Sequence, residues 1–234
     1  MFKILLSSDI INNLWKVIET EIPFAIWETM YVTILSTFFA VIIGLPLGIL
    51  LVTGQKNNLL PIPTWLMHLL NAIINFLRSV PFLILMIMVF PLSRLIIGTT
   101  IGTTATIIPL VVASFPFVAR LIESSISEIN KGLIEASISM GASPMQTIIK
   151  VILPECLPSI ISDITITITT ILSYSAMSGI IGGGGLGKIA INYGYYRYNY
   201  PVMIVAVILL VIIVQLFQLI GTFLSKKLDK RIRH

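Results

Sequence analysis

The stretch YVTILSTFFAVIIGLPLGILLV, residues 31–52, carries no charged side chain in 22 residues. A helix needs about 20 apolar residues to cross the ~30 Å hydrocarbon core of a bilayer, because each residue rises about 1.5 Å. The stretch therefore reads as a membrane span. Working outward, segments 101–119, 164–187 and 198–225 read the same way, each with Lys or Arg only at its edges. A fifth, shorter span is predicted at 79–93, which makes it the second in chain order and 164–187 the fourth. Arg78 and Arg94 bound it, with stems long enough to reach headgroups, and Pro81 and Pro91 mark its ends. Residues 57–77 are also uncharged, yet Pro61, Pro63, His68, Asn71 and Asn75 leave them poorly apolar, and they predict an interfacial helix feeding the second span. The run DITITITTIL, 163–172, alternates as a strand would. A lone strand in lipid leaves its backbone unpaired, so a helix is expected there.

Composition agrees with this reading. The 234 residues are 56% hydrophobic and 11% charged, with a mean hydropathy of +1.01, and are expected to form one all-α transmembrane domain, 1–234, with about five spans. Cys156 is the single cysteine, which excludes an internal disulfide, and His68 and His234 are too few to build a His-rich metal site with it. A hydrolase would need a nucleophile beside a base, and neither histidine lies in a span with a partner, so no catalytic residue is assigned. Lys3 precedes only a brief apolar run before Ser7, Ser8 and Asp9, too short for a cleaved signal peptide. The chain is therefore expected to be kept whole.

The tail SKKLDKRIRH, 225–234, sets Lys226, Lys227, Lys230, Arg231 and Arg233 against Asp229, the signature of a cytoplasmic end. Five spans then place Lys56, Arg120, Lys131 and Lys150 inside as well, nine basic residues with the tail, against five outside: Lys3, Lys16, Arg94, Lys188 and Arg197. The N-terminus is expected outside.

That orientation bears on SGIIGGGGLGKIA, 178–190. Gly182, Gly187 and Lys188 have the spacing of a phosphate-binding loop, and Gly182, Gly184 and Gly187 that of a dinucleotide fingerprint. Neither context is present. No strand precedes the run, Ile189 stands where a magnesium-binding Ser or Thr belongs, and the outer face is poor in nucleotides. The glycines read as backbone that leaves a helix, turns tightly or packs closely, and no nucleotide site is assigned.

Residues 120–155 form the longest hydrophilic stretch. Its centre predicts two short helices that part at Gly141. Ser143 caps the second, Pro144 occupies its first turn and Gln146 completes a capping box. Ala136, Ser137, Ser139, Gly141 and Ala142 are small enough for another protein to approach the backbone. An amphipathic hairpin lying on the membrane fits the same residues.

Glu135, Ala136 and Ser137, then Gly141, then Leu153 and Pro154, resemble the signature of membrane subunits of ABC importers, with Ser137 and Val151 as small departures. The resemblance extends from about Phe24 to Leu224. FLRSVPFLIL (76–85), ASFPFVARLIE (113–123), GLIEASISMGASPMQ (132–146) and YSAMSGIIGGGGLG (174–187) are together similar to permeases of methionine importers. It implies a type I ABC permease fold in the bacterial plasma (inner) membrane and a coupling loop, 120–155, that docks on a cytoplasmic ATPase. It also implies no cofactor on this chain, since ATP and magnesium belong to the partner.

Five helices enclose a solute path poorly, so a homodimer with two ATPases, fed by an external solute-binding lipoprotein, is expected, with no nucleic-acid partner. On the fourth span Ser162, Thr165, Thr169, Ser173 and Ala176 share one helix face, which reads either as a path lining or as interhelical packing. Asp163 is the only acid near a span interior and is expected to reach the headgroups from the cytoplasmic end. Tyr174, Met177 and Ser178 lie where the resemblance implies an outer gate; lipid or core contact accounts for them equally. The tyrosines 193, 195, 196, 198 and 200 read as an interfacial belt or a binding-protein contact. With no fixed counter-charge seen in the path, a zwitterion suits it, and the resemblance narrows this to methionine or a related amino acid. A permease for another small solute, and a stand-alone channel or secondary transporter, are the alternatives.

Overall fold

The computed structural model of the chain describes residues 8–56 and 58–229. Lys3, Ser7, Lys230, Arg231, Arg233 and His234 lie outside them. Among the described residues all regular structure is helical: α1 (Ser8–Thr20), α2 (Ile22–Thr53), α3 (Thr64–Ser79), α4 (Phe82–Ile97), α5 (Ile107–Ser127), α6 (Lys131–Ser139), α7 (Pro144–Thr147), α8 (Leu153–Ser178), α9 (Gly185–Ile191) and α10 (Tyr200–Leu228). The run 163–172 lies in α8, helical as lipid requires.

Four helical stretches are long and apolar enough to cross a membrane: α2, Thr104–Ser127, Pro144–Ile181 and α10. The chain is a multi-pass membrane protein. α2 is apolar on all sides and its 32 residues extend about 48 Å, well beyond the hydrocarbon core. It starts nine residues before the uncharged stretch, so Trp27, Glu28 and Thr29 belong to its first turns.

The fifth span differs from the one expected at 79–93. α3 and α4 pass the length and hydropathy requirement only together, and a 115° bend separates them. Val80, with φ −81° and ψ 128°, is extended, the conformation that a following proline imposes, and Pro81 cannot donate the N–H that would carry the helix onward. Pro91 lies inside α4 and does not end it; the helix stops at Gly98, whose φ of +86° accommodates the left-handed turn.

The residues form two compact units, and α2, α5, α8 and α10 each contribute a segment to both. The first comprises the described residues up to Thr37, Pro81–Val112 and Ile168–Phe217. Its core buries Val17, Ile22, Ala25, Leu172, Leu186, Ile189, Val202 and Ala206. The second comprises the described residues of Phe38–Val80, Ala113–Thr167 and the stretch from Gln218. Here Gly44 and Gly48 of α2 form a GxxxG face against α5: a Cβ on Gly48 would stand 2.6 Å from Ile122 Cβ and 2.7 Å from the Ala119 carbonyl. Missing side chains let the two backbones approach, which is how helices gain contact in lipid, where burial of apolar surface gives no advantage.

Candidate functional site

The expected coupling residues lie on α6 (Glu135, Ala136 and Ser137), in the turn after it (Gly141) and at the start of α8 (Leu153 and Pro154). Asn130 caps α6, its side chain accepting the Gly132 N–H at 2.9 Å. The helix closes at Gly141, φ +83°, where the Gly141 N–H bonds the Ile138 carbonyl at 2.9 Å and the Ala142 N–H bonds the Ser137 carbonyl at 3.1 Å. These two bonds are a Schellman closure. Ser143 then begins α7 with both halves of a capping box: Gln146 N–H to Ser143 Oγ at 3.3 Å and Ser143 N–H to Gln146 Oε1 at 2.9 Å. Glu135, Ala136, Gly141 and Pro154 are exposed, and Leu153 is half-buried. Ser137 instead turns inward, its hydroxyl 2.7 Å from that of fully buried Thr147. The serine at this position thus pins α6 to α7.

From α7 the chain continues without a break into α8. The joint is a π turn, Ile148–Ile152, in which the Leu153 N–H reaches back to the Ile148 carbonyl. Pro154 has no N–H to offer Lys150, and the wider turn accommodates that lost bond. Because the helical stretch starts at Pro144, Asp163 lies well inside it and is 8% exposed. Its carboxylate does not reach headgroups, contrary to the sequence expectation, but accepts the Ser125 hydroxyl of α5 at 2.6 Å. Arg120 of α5 likewise holds α3, donating to Asn71 Oδ1 at 2.7 Å and Asn75 Oδ1 at 2.9 Å while paired with Glu123. The asparagines that made 57–77 look interfacial are therefore partners of a cation.

The residues of the polar face of α8 have different surroundings. Ser162 donates to Ser225 Oγ at 2.9 Å, and Thr165 packs against Gly221, both contacts with α10. Thr169 and Ala176 are half-buried and Ser173 is exposed. The Tyr174 ring stacks on Phe82 with centroids 4.3 Å apart, Met177 is 44% exposed, and Ser178 is buried, donating to the Ser175 carbonyl at 2.6 Å. The structure thus separates exposed Ser173 and Met177 from Ser162, Thr165 and Ser178, which are engaged in packing.

The glycine run is a knot tied by residues the sequence reading passed over. Gly182 (φ +91°) turns the chain out of α8, and its carbonyl accepts the Gly102 N–H at 2.9 Å. Glu28 of α2 accepts the Gly185 N–H through Oε2 at 2.8 Å and the Thr103 hydroxyl through Oε1, and Thr29 Oγ1 accepts the Leu186 N–H at 2.9 Å. A Cβ on Gly184 would stand 2.6 Å from Glu28 Oε2. The amides that a phosphate would need are already committed to a carboxylate and a hydroxyl. Glu28 also corrects the expectation that Asp163 is the only acid near a span interior. Its signal was available: a Glu-Thr pair near the start of an apolar helix, and a glycine turn whose amides require acceptors.

The chain is similar to known proteins. The model of the family described as binding-protein-dependent transport system inner membrane component matches residues 44–234. The probable D-methionine transport system permease protein MetI of Vibrio cholerae is 49% identical over 208 residues, covering 88% of this chain and 92% of its own. The D-methionine transport system permease protein MetI of Escherichia coli K12 is 46% identical over 154 residues, 66% of this chain and 70% of its own. Among solved structures, an inward-facing conformation of the MetNI methionine ABC transporter superposes with a TM-score of 0.84 at 45% identity, covering 87% of this chain and 94% of that one. An amino acid ABC transporter at 19% identity, TM-score 0.71, shares the fold. The chain belongs to the family of inner-membrane components of binding-protein-dependent transport systems.

Proposed function

We propose that this chain is the permease subunit of an ATP-driven importer that carries methionine or a closely related amino acid. The observation that carries the reading is the 49% identity, over most of both chains, to a permease named for D-methionine transport. Two copies would enclose the path, and each would present its α6–α7 segment to a cytoplasmic ATPase that supplies ATP and magnesium chemistry. An external binding protein would deliver the substrate, with the N-terminus outside and the basic C-terminus in the cytoplasm.

The geometry supports a coupling mechanism. Exposed Glu135, Ala136 and Gly141 offer a docking surface, and the hydroxyl pair between Ser137 and Thr147 makes α6 and α7 move together. Because Pro144–Ile181 is one continuous helical stretch, a push on α7 is delivered along α8 without an intervening loop. Such a rigid lever turns closure of the ATPases into alternating access. The test is uptake of labelled D- and L-methionine into liposomes holding this chain, its ATPase and its binding protein. Uptake is expected only with ATP and all three components; transport by the chain alone, or strong preference for another solute class, would reject the reading.

A further inference from the structure

One pocket of the first unit takes no part in the arrangement described above. It holds about 490 Å3 and is lined by Lys16, Thr20, Glu21, Tyr193, Arg197 and Asn199, with Tyr198 at its wall. Two cations and one carboxylate thus border a single cavity. Among the described residues neither cation forms an ion pair. The Arg197 guanidinium lies over the Tyr193 ring, 4.7 Å from its centroid, and Glu21 Oε1 accepts the Tyr193 hydroxyl at 2.7 Å. Burial first, and then the Glu21 carboxylate, push the Tyr193 phenol above its usual range, so it remains a donor that fixes Glu21 in place. The wall is bent to make the cavity. Tyr198 has φ +54°, a region unfavourable for a bulky side chain, and the turn is held by the Asn199 N–H on the Tyr193 carbonyl at 2.7 Å.

The helix limits set the level of this pocket in the membrane. α2 begins at Ile22, directly after Glu21, and α10 at Tyr200, directly after Asn199, so the pocket lies at the shared end of two membrane-spanning helices. Trp15, Tyr195, Tyr196 and Tyr198 are all exposed around it, the side chains that favour the headgroup layer. At that level the abundant anion is a lipid phosphodiester, which two cations without an ion-pair partner among the described residues select. A carboxylate held beside them selects a headgroup that also carries an ammonium donor.

We infer that this pocket binds the headgroup of an aminophospholipid, its phosphodiester against Lys16 and Arg197 and its ammonium against Glu21. The full chain in nanodiscs holding equal phosphatidylethanolamine, phosphatidylglycerol and phosphatidylcholine, read by native mass spectrometry, tests this. Wild type is expected to retain one phosphatidylethanolamine per chain. The double substitution Lys16→Gln with Arg197→Gln should weaken retention about tenfold, Lys16→Arg with Arg197→Lys should restore it, and Glu21→Gln should keep a lipid while losing the preference for ethanolamine. Unchanged retention in the double variant, or phosphatidylglycerol held as tightly as phosphatidylethanolamine by wild type, would overturn the proposal. So would soluble glycerophosphoethanolamine that binds as tightly as the lipid, which would make the ligand a free phosphate ester. Loss of binding-protein affinity in the double variant with lipid retention intact would assign the pocket to a protein partner instead.

Discussion

Glu28 Oε2 lies 2.8 Å from the Gly185 amide, 157 residues away in sequence. One carboxylate thereby joins the start of α2 to the glycine turn after α8, and through Thr103 to the turn before α5. Loss of this acceptor leaves a backbone donor without a partner in a part-buried site.

Glu28→Ala should therefore destabilise the chain by about 3 kcal/mol, and Glu28→Gln by only about 1 kcal/mol, since the amide oxygen can accept from Gly185 while its NH2 donates to Thr103. Thermal unfolding in detergent measures both. Equal losses for Gln and Ala would show that charge at the α9 amides matters and shape does not.

Gly48 should tolerate no side chain. Its added Cβ meets Ile122 Cβ at 2.6 Å and the Ala119 carbonyl at 2.7 Å, so Gly48→Ala is expected to cost about 2–3 kcal/mol through forced separation of α2 and α5. Ile122→Ala in the same chain should recover only part of this, because the Ala119 carbonyl is backbone and cannot be trimmed. Full recovery would mean that the side chain alone sets the approach.

At Gly141 space is not the constraint: nothing lies within 4 Å of an added Cβ, and the cost is the φ of +83°. Gly141→Ala should lose about 1 kcal/mol and Gly141→Asn less. Gly141→Leu should cost little more in stability yet sharply reduce methionine uptake, because the added bulk stands on the exposed surface of the α6–α7 turn. Full uptake with Leu would remove the docking role from this turn.

The Ser137 and Thr147 hydroxyls should be coupled. Ser137→Ala leaves the Thr147 hydroxyl buried without a partner, an expected loss of about 1–3 kcal/mol, and adding Thr147→Val should return part of that loss. A double-mutant cycle read by unfolding gives the coupling energy directly. Simple additivity would deny the link between α6 and α7.

Much of this protein is written in its linear pattern. Length and apolarity alone make 31–52 and 198–225 membrane-crossing, because lipid offers a backbone no partner except its own helix. The Gly141 stop and the Ser143 capping box are equally legible, since each is completed within a few residues by local bonds. The fold brought together what no local rule reaches. Charge excluded Glu28 from the apolar stretch, and only packing shows that its carboxyl group accepts the Gly185 amide of a distant turn and the Thr103 hydroxyl. Asp163 is expected to reach headgroups because the apolar stretch begins only at 164; the helical stretch begins at Pro144, and packing on α5 buries the carboxyl group against Ser125. Local propensity and hydropathy determined which segments are helices and which cross. Which polar group meets which was decided by tertiary structure, because a buried donor or acceptor must find a partner wherever in the chain one lies.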